Sequence, residues 1–234
     1  MIIGGLLVRN EADRWLTEFL ESYSILCDKI VVVNDLSTDN TVEICSRYTD
    51  IIYDTNEHTF IKNESILRKS LWDQCCNHAK LGDWIAIFDA DELISKYDAK
   101  YLHEFIDFGM LSNDKSLDLI ALRLYDMWNN KQYRSDNLWN AHTRAFPFLA
   151  RYIDNDLTFS NSPIHCGRFP TKVLNYTCGI LENVHVKHMG WSTEKDRLNK
   201  YKRYMDIDPN GIYGSLEQYQ SILDKNPHLE DYDG

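Results

Sequence analysis

The chain has no run of about 18 apolar residues, the length a helix needs to cross a bilayer, and no basic-then-apolar leader at its N-terminus. Its one apolar opening, Met1–Val8, runs straight into Arg9-Asn10-Glu11 and reads as a first buried strand. The expectation is a cytoplasmic protein without a transmembrane segment. Basic charge is also scarce: 25 Lys and Arg stand against 36 Asp and Glu, a net charge of −11. A nucleic-acid partner needs a basic face to displace counterions, so none is expected. The six cysteines include no Cys-x-x-Cys pair, and Cys75 and Cys76 are adjacent, which excludes a zinc knuckle and a disulfide framework. They read as reduced, mostly buried small hydrophobes. Internal repeats and low-complexity linkers are missing, so one domain over residues 1–234 is the simplest organisation.

Apolar residues make up 44% of the 234 positions and charged residues 26%, enough for one α/β domain with a full core. Before residue 125, short β-like runs alternate with helical ones, the pattern of a mostly parallel central sheet. Strands are expected at Ile2–Val8, Lys29–Asn34, Ile51–Tyr53, Trp84–Phe88 and Leu117–Leu124. Helices are expected at Glu11–Ile25, Thr38–Tyr48, Ile61–Ala79 and Ala99–Phe108. Lys29–Asn34 is continuously apolar through Ile-Val-Val-Val, as in a strand covered on both faces. After Tyr125 the alternation fades; a strand near Ile180–Lys187 and a polar helix at Glu194–Met205 close the reading. Residues 1–125 therefore read as nucleotide-binding scaffold, and 126–234 as the acceptor-binding half.

Asp89-Ala90-Asp91-Glu92 directly follows the buried Trp84–Phe88 strand. Residues two apart on an extended segment face one way, so both aspartates can approach one ion. Ligands of open parallel sheets bind at the carboxyl ends of strands, and hard carboxylate oxygens suit Mn²⁺ or Mg²⁺. The plainer alternative is an acidic loop capping the helix near Tyr97. A second buried strand ends in Asn34-Asp35-Leu36-Ser37-Thr38-Asp39. There Ser37, Thr38 and Asp39 read as helix-capping residues, and Asp35 as a residue facing the crevice.

Arg9-Asn10-Glu11, Asn34–Asp39 and Asp89–Glu92, in this order and spacing, resemble the GT-A glycosyltransferases, most closely glycosyltransferase family 2. The resemblance covers residues 1 to about 95. It implies a GT-A fold and a metal-dependent, inverting transfer of a sugar from a nucleotide diphosphate donor, with UDP as the expected nucleotide. Val8, Arg9 and Asp35 would hold base and ribose, and Asp89 and Asp91 the metal and diphosphate. Arg68 would be a further donor contact, and Asp91 would act in catalysis through the metal. The chain departs from the family at Asn34, where many members have Asp, and at Leu36, where Gly is usual.

The segment His185-Val186-Lys187-His188-Met189-Gly190-Trp191 resembles a late family element in which a histidine completes the metal shell, a place His188 would take. A purely structural histidine is the alternative. Arg197, Lys200 and Arg203 share a helical face, and they read either as partners of the leaving diphosphate or as a solvated surface. The base that takes the acceptor proton is expected to be Asp126, at the end of the Leu117–Tyr125 strand, with Asp136 and Glu182 behind it. His142 and His165 are further polar residues of the acceptor half with no spacing that assigns them. The acceptor itself, whether glycan, lipid, protein or small molecule, is open. A nucleotidyltransferase would use similar carboxylates, although Ile3-Gly4-Gly5-Leu6 lies inside a strand where that class has a phosphate loop. A non-catalytic nucleotide-sugar-binding module is the other alternative.

Overall fold

The computed structural model describes residues 1–60, 62–107, 117–154 and 158–233. Ten strands and six α-helices follow in the order β1 (Ile2–Val8), α1 (Leu16–Leu26), β2 (Lys29–Asn34), α2 (Thr41–Cys45), β3 (Ile52–Asp54), α3 (Glu64–His78), β4 (Trp84–Ile87), β5 (Glu92–Ile94), α4 (Lys96–Asp107), β6 (Leu119–Asp126), β7 (Gln132–Arg134), β8 (Ala145–Arg151), β9 (Cys178–His188), α5 (Glu194–Ile207), α6 (Leu216–Ser221) and β10 (Leu229–Asp231). Ile61 and Phe108, the expected start and end of two helices, lie outside the described residues.

Eight strands form one sheet in the order β3-β2-β1-β4-β8-β6-β9-β5. The β3-β2-β1-β4 half is parallel throughout. In the other half β8 runs antiparallel to both β4 and β6, β9 runs parallel to β6, and β5 runs antiparallel to β9. Alternation explains the continuous apolar runs. Leu6, Ile30 and Val32 pack on Leu16, Phe19 and Tyr23 of α1, while Ile3, Val31 and Val33 pack on Leu67, Leu71 and Trp72 of α3. Truncating Phe19 or Leu71 to alanine would cost about 2–5 kcal/mol. Gly4 and Gly5 allow both helices to come close, because a Cβ at Gly4 would lie 2.8 Å from the Tyr23 ring and one at Gly5 2.7 Å from Cys75 Sγ.

Because β1, β2 and β4 are parallel, their carboxyl ends, at Val8, Asn34 and Ile87, open onto the same edge. The second half of the sheet delivers its own residues there. A register shift between Leu122 and Arg123 sets Asp126 of β6 opposite His188 of β9, and β5 places Glu92 on the other side of His188. Among the described residues no helix is long and apolar enough to cross a membrane.

Several expectations are corrected. β5, β7, β8, β10 and α6 were not anticipated. β8 carries Pro147 in its interior, a residue that reads as a strand breaker; it is accommodated where the β6–β8 register shifts, between Ile120 and Ala121. Ser37 and Thr38 do not cap a helix: Ser37 Oγ accepts from Asn10 N at 3.0 Å, and Thr38 N donates to Asn10 Oδ1 at 2.7 Å. Asp39 does serve the start of α2, accepting from Thr41 N at 3.0 Å and from its hydroxyl at 2.6 Å. Nor does the Asp89–Glu92 loop cap α4, whose first turn is held by Ser95 Oγ accepting from Asp98 N at 3.0 Å.

Candidate active site

A cavity of about 390 Å³ opens at the shared strand edge, lined by Val8, Arg9 and Asp35 and by His165, Gly167 and Arg168. Asp89, Asp91, His188, Lys200 and Arg203 line it as well, together with Glu11, Arg14, Glu64 and Arg68.

Asp35 is 2% exposed, and its carboxylate is already engaged. Oδ1 accepts from Thr55 Oγ1 at 3.1 Å and from Thr59 N at 2.8 Å; Oδ2 accepts from Phe60 N at 3.2 Å and lies 3.2 Å from His58 Nε2. Asp35 thus fixes the 55–60 loop as a wall beside it. Arg9 Nη1 donates to the carbonyls of Asp35 and Leu36, the latter at 3.1 Å. Leu36 has φ +56°, a left-handed conformation that explains why glycine suits this position and costs leucine about 1–2 kcal/mol.

Arg68 makes two hydrogen bonds to Asp89, at 2.7 and 3.2 Å, and two to Glu64, both at 3.1 Å. Burial pushes the Asp89 carboxyl up, but Arg68 outweighs it and holds Asp89 below the usual carboxylate range. Asp91 lies 3.4 Å from Lys200 Nζ, 3.7 Å from His188 Nε2 and 3.7 Å from Arg14. Here too burial opposes, and Lys200, His188 and Arg14 together keep the carboxyl well below its ordinary value. His188 Nδ1 is 2.8 Å from Asp126 Oδ1, and Nε2 is 3.2 Å from Lys200 Nζ. Trp191 Nε1–H also approaches Nδ1, at 3.2 Å, but the Asp126 carboxylate is closer and only accepts, and the Lys200 ammonium only donates; together these two favour a proton on Nδ1 and a lone pair on Nε2. Asp91 Oδ2, His188 Nε2 and Lys200 Nζ converge over Gly190, where a Cβ would collide with all three.

Glu11, Arg14 and Arg168 complete the site without having been singled out as functional. Glu11 pairs with Arg14 at 2.7 Å. Burial, reinforced by the Asp91 charge and opposed by Arg14, pushes its carboxyl up to about 7. Arg168 pairs with Glu92, whose other oxygen accepts from Asp89 N at 2.8 Å, so the Asp89–Glu92 turn is held from both sides. Glu11 stands in the Arg-Asn-Glu segment, and that was its sequence signal. Arg168 had none.

Other candidates lie elsewhere. Asp126 is behind the His188 ring and is not among the lining residues, so it orients the imidazole and does not face the crevice. Arg197 donates to the carbonyls of Trp128 and Trp191, at 2.9 and 2.6 Å, and borders a separate groove. Asp136 is paired with Arg134 at 2.7 Å, and Glu182 pairs with Arg123 in an exposed setting. His142 stacks on Tyr125, with ring centroids 6.1 Å apart. The expected metal trio is not assembled: among the described residues no three His, Cys, Asp or Glu side chains group as a metal shell. Asp89 is drawn to Arg68, which leaves Asp91 and His188 as the pair that face one another.

Residues 8–169, more than half of the chain, match the family described as Glycosyl transferase family 2. The chain belongs to this family. Membership of a family of sugar transferases favours the sugar-transfer reading over the nucleotidyltransferase. Among curated proteins, the uncharacterized protein Rv3786c of Mycobacterium tuberculosis is 25% identical over 215 residues, 86% of this chain and 49% of its own length. Mb3815c of Mycobacterium bovis matches to the same extent. The chain thus spans about half the length of the curated relatives it matches. Among solved structures, S. aureus TarS 1–349 superposes with a TM-score of 0.53 at 17% identity, covering 95% of this chain and 69% of that one. The same protein in complex with UDP gives 0.53 at 16%. These structures share the GT-A fold with this chain, and at such identity the likeness speaks for the fold alone.

Proposed function

We propose that this family 2 glycosyltransferase takes a UDP-sugar as donor, binds its diphosphate with a divalent metal, and inverts the anomeric centre in one displacement. The observation that carries the reading is the convergence of Asp91, His188 and Lys200 over Gly190, in a cavity that Asp35 also lines. Base and ribose are assigned to the part walled by Val8, Arg9, Asp35 and the 55–60 loop. UDP is favoured because TarS, of the same fold, binds it in its complex.

The donor set suits a divalent ion: a carboxylate oxygen of Asp91 and Nε2 of His188 both approach the cationic Lys200 ammonium, at 3.4 and 3.2 Å, a spot where positive charge is favoured. Asp91 and His188 would hold Mn²⁺ or Mg²⁺ together with phosphate oxygens. The ion would offset charge developing on the departing diphosphate. Asp89 instead secures Arg68 beside it. Arg14, Arg168 and Arg203 line the cavity with guanidinium groups, which suits a polyanionic ligand. Lys200 and Arg203, which line the cavity, are assigned to the diphosphate, and Arg197, which does not, is left out.

Thermal-shift assays with UDP, UDP-glucose, UDP-galactose and UDP-N-acetylglucosamine, with Mn²⁺ or with excess chelator, test this. Ligand at about 100 times its dissociation constant adds about 2.7 kcal/mol of stability, and the protection is expected only with metal. Equal protection in chelator would refute metal bridging, and no protection by any uridine ligand would refute the donor.

A further inference from the structure

His165 has φ +57°, a backbone conformation rare for histidine and one that structures keep mainly where the surroundings demand it. Those surroundings are built for it. Its backbone N donates to Glu64 Oε2 at 3.0 Å, tying the loop to α3. Its ring lies 5.2 Å from the Tyr204 ring and 5.9 Å, stacked, from the Tyr219 ring. Nε2 is 2.9 Å from the Tyr219 hydroxyl, and that hydroxyl donates to Asp208 Oδ2 at 3.1 Å. Asp208, 1% exposed, is fixed in turn by the amides of Ile212, Tyr213 and Gly214 at 2.7, 3.0 and 3.1 Å.

This chain of bonds selects a tautomer. Tyr219 has one proton and gives it to Asp208, so its oxygen accepts from His165; Nε2 therefore carries the hydrogen and Nδ1 the lone pair. No described residue hydrogen-bonds Nδ1, and the residue lines the same cavity as Asp91. Gly214 makes the contact possible, since a Cβ there would collide with the Tyr219 hydroxyl and lie 3.1 Å from His165 Nε2.

We propose that His165 is the general base of the transfer, oriented by Tyr219 and Asp208. The acceptor hydroxyl proton passes to Nδ1 as the acceptor oxygen bonds to the anomeric carbon. The bond from that carbon to the phosphate oxygen breaks, and its electron pair leaves on the nucleoside diphosphate. The imidazolium so formed keeps its Nε2–H on Tyr219. The groups facing the ring are Glu64 from α3, Arg203 and Tyr204 from α5, Asp208, and Tyr219 from α6. Burial lowers the imidazole's proton affinity; Glu64 and Asp208 oppose this and Arg203 adds to it, with the net effect below the ordinary 6.5. The base is thus neutral and ready near pH 7. This assignment rests on the donor reading above.

Two measurements on the full chain decide it. Imidazole ¹⁵N NMR, assigned with His165→Gln, is expected to report an Nε2–H tautomer that is lost in Tyr219→Phe. UDP release from the three UDP-sugars with Mn²⁺, water serving as acceptor, is followed from pH 5 to 9. In wild type it should fall as pH drops through the imidazole titration. His165→Gln should lower it about 10²-fold and remove that acid limb, with UDP affinity unchanged within a few-fold. An Nδ1–H tautomer overturns the proposal whatever the donor, as does a His165→Gln enzyme with wild-type rate and pH profile. If wild type releases UDP from none of the sugars, the donor reading fails instead, and the tautomer alone judges the relay.

Discussion

Asp126 and His188 stand opposite one another on β6 and β9, and their side chains meet at 2.8 Å between Oδ1 and Nδ1. The carboxylate thereby aims the Nε2 lone pair at Asp91. A carboxylate behind a metal-binding imidazole commonly contributes 10–100-fold in metal affinity. Asp126→Asn is accordingly expected to weaken Mn²⁺ binding in the presence of UDP by about that factor while leaving the fold intact. Electron paramagnetic resonance of free Mn²⁺ measures this, and unchanged affinity would remove Asp126 from the site.

Glu11 gives the apoprotein a pH signature. Its carboxyl rises from the ordinary 4.5 to about 7 on folding, so folding favours the protonated form. Stability from this group is complete below about pH 4.5, declines as pH rises toward 7, and stays reduced above it. Glu11→Gln should abolish that decline and be more stable than wild type at pH 8 by up to about 3 kcal/mol. Urea denaturation at pH 4.5 and 8 is the check. Parallel pH profiles for the two proteins would show that Glu11 ionises freely.

Gly190 is where bulk cannot be tolerated. Asp91, His188 and Lys200 all occupy the space a Cβ would need. Gly190→Ala should push these groups apart and cost at least about 10-fold in Mn²⁺-dependent UDP binding. The melting temperature should change little, because Lys200 and Asp91 can move within the cavity. Undiminished binding in this variant would mean that the convergence has no role.

The parallel half of the sheet was legible because its strands are covered on both faces and leave long apolar runs, and because Asp35 and Asp89 stand directly at strand ends. The roles within the site were less so. Asp89 and Asp91 look equivalent in the sequence, yet Arg68, one helix away, claims the first and leaves the second to His188. Arg197, Lys200 and Arg203 share a spacing, but the face is split when Arg197 turns to the carbonyls of Trp128 and Trp191. Asp126 was placed at the correct strand end, while only the β6–β9 pairing shows the imidazole in front of it. His165 and Tyr219 are 54 residues apart, a contact no periodicity announces. Long-range pairing decides each of these, and it is the part of the fold that local pattern does not encode.

The proposed role of Asp91 and His188 is to join a divalent metal to the donor diphosphate. Calorimetric titration of UDP into wild type and Asp91→Asn, each with Mn²⁺ and each with excess chelator, tests it most directly. Wild type with Mn²⁺ should bind at least about 10-fold more tightly than the other three, and Asp91→Asn with Mn²⁺ should resemble wild type in chelator, since one ligand's loss weakens the ion and the charge it supplies. Four equal affinities would contradict the account.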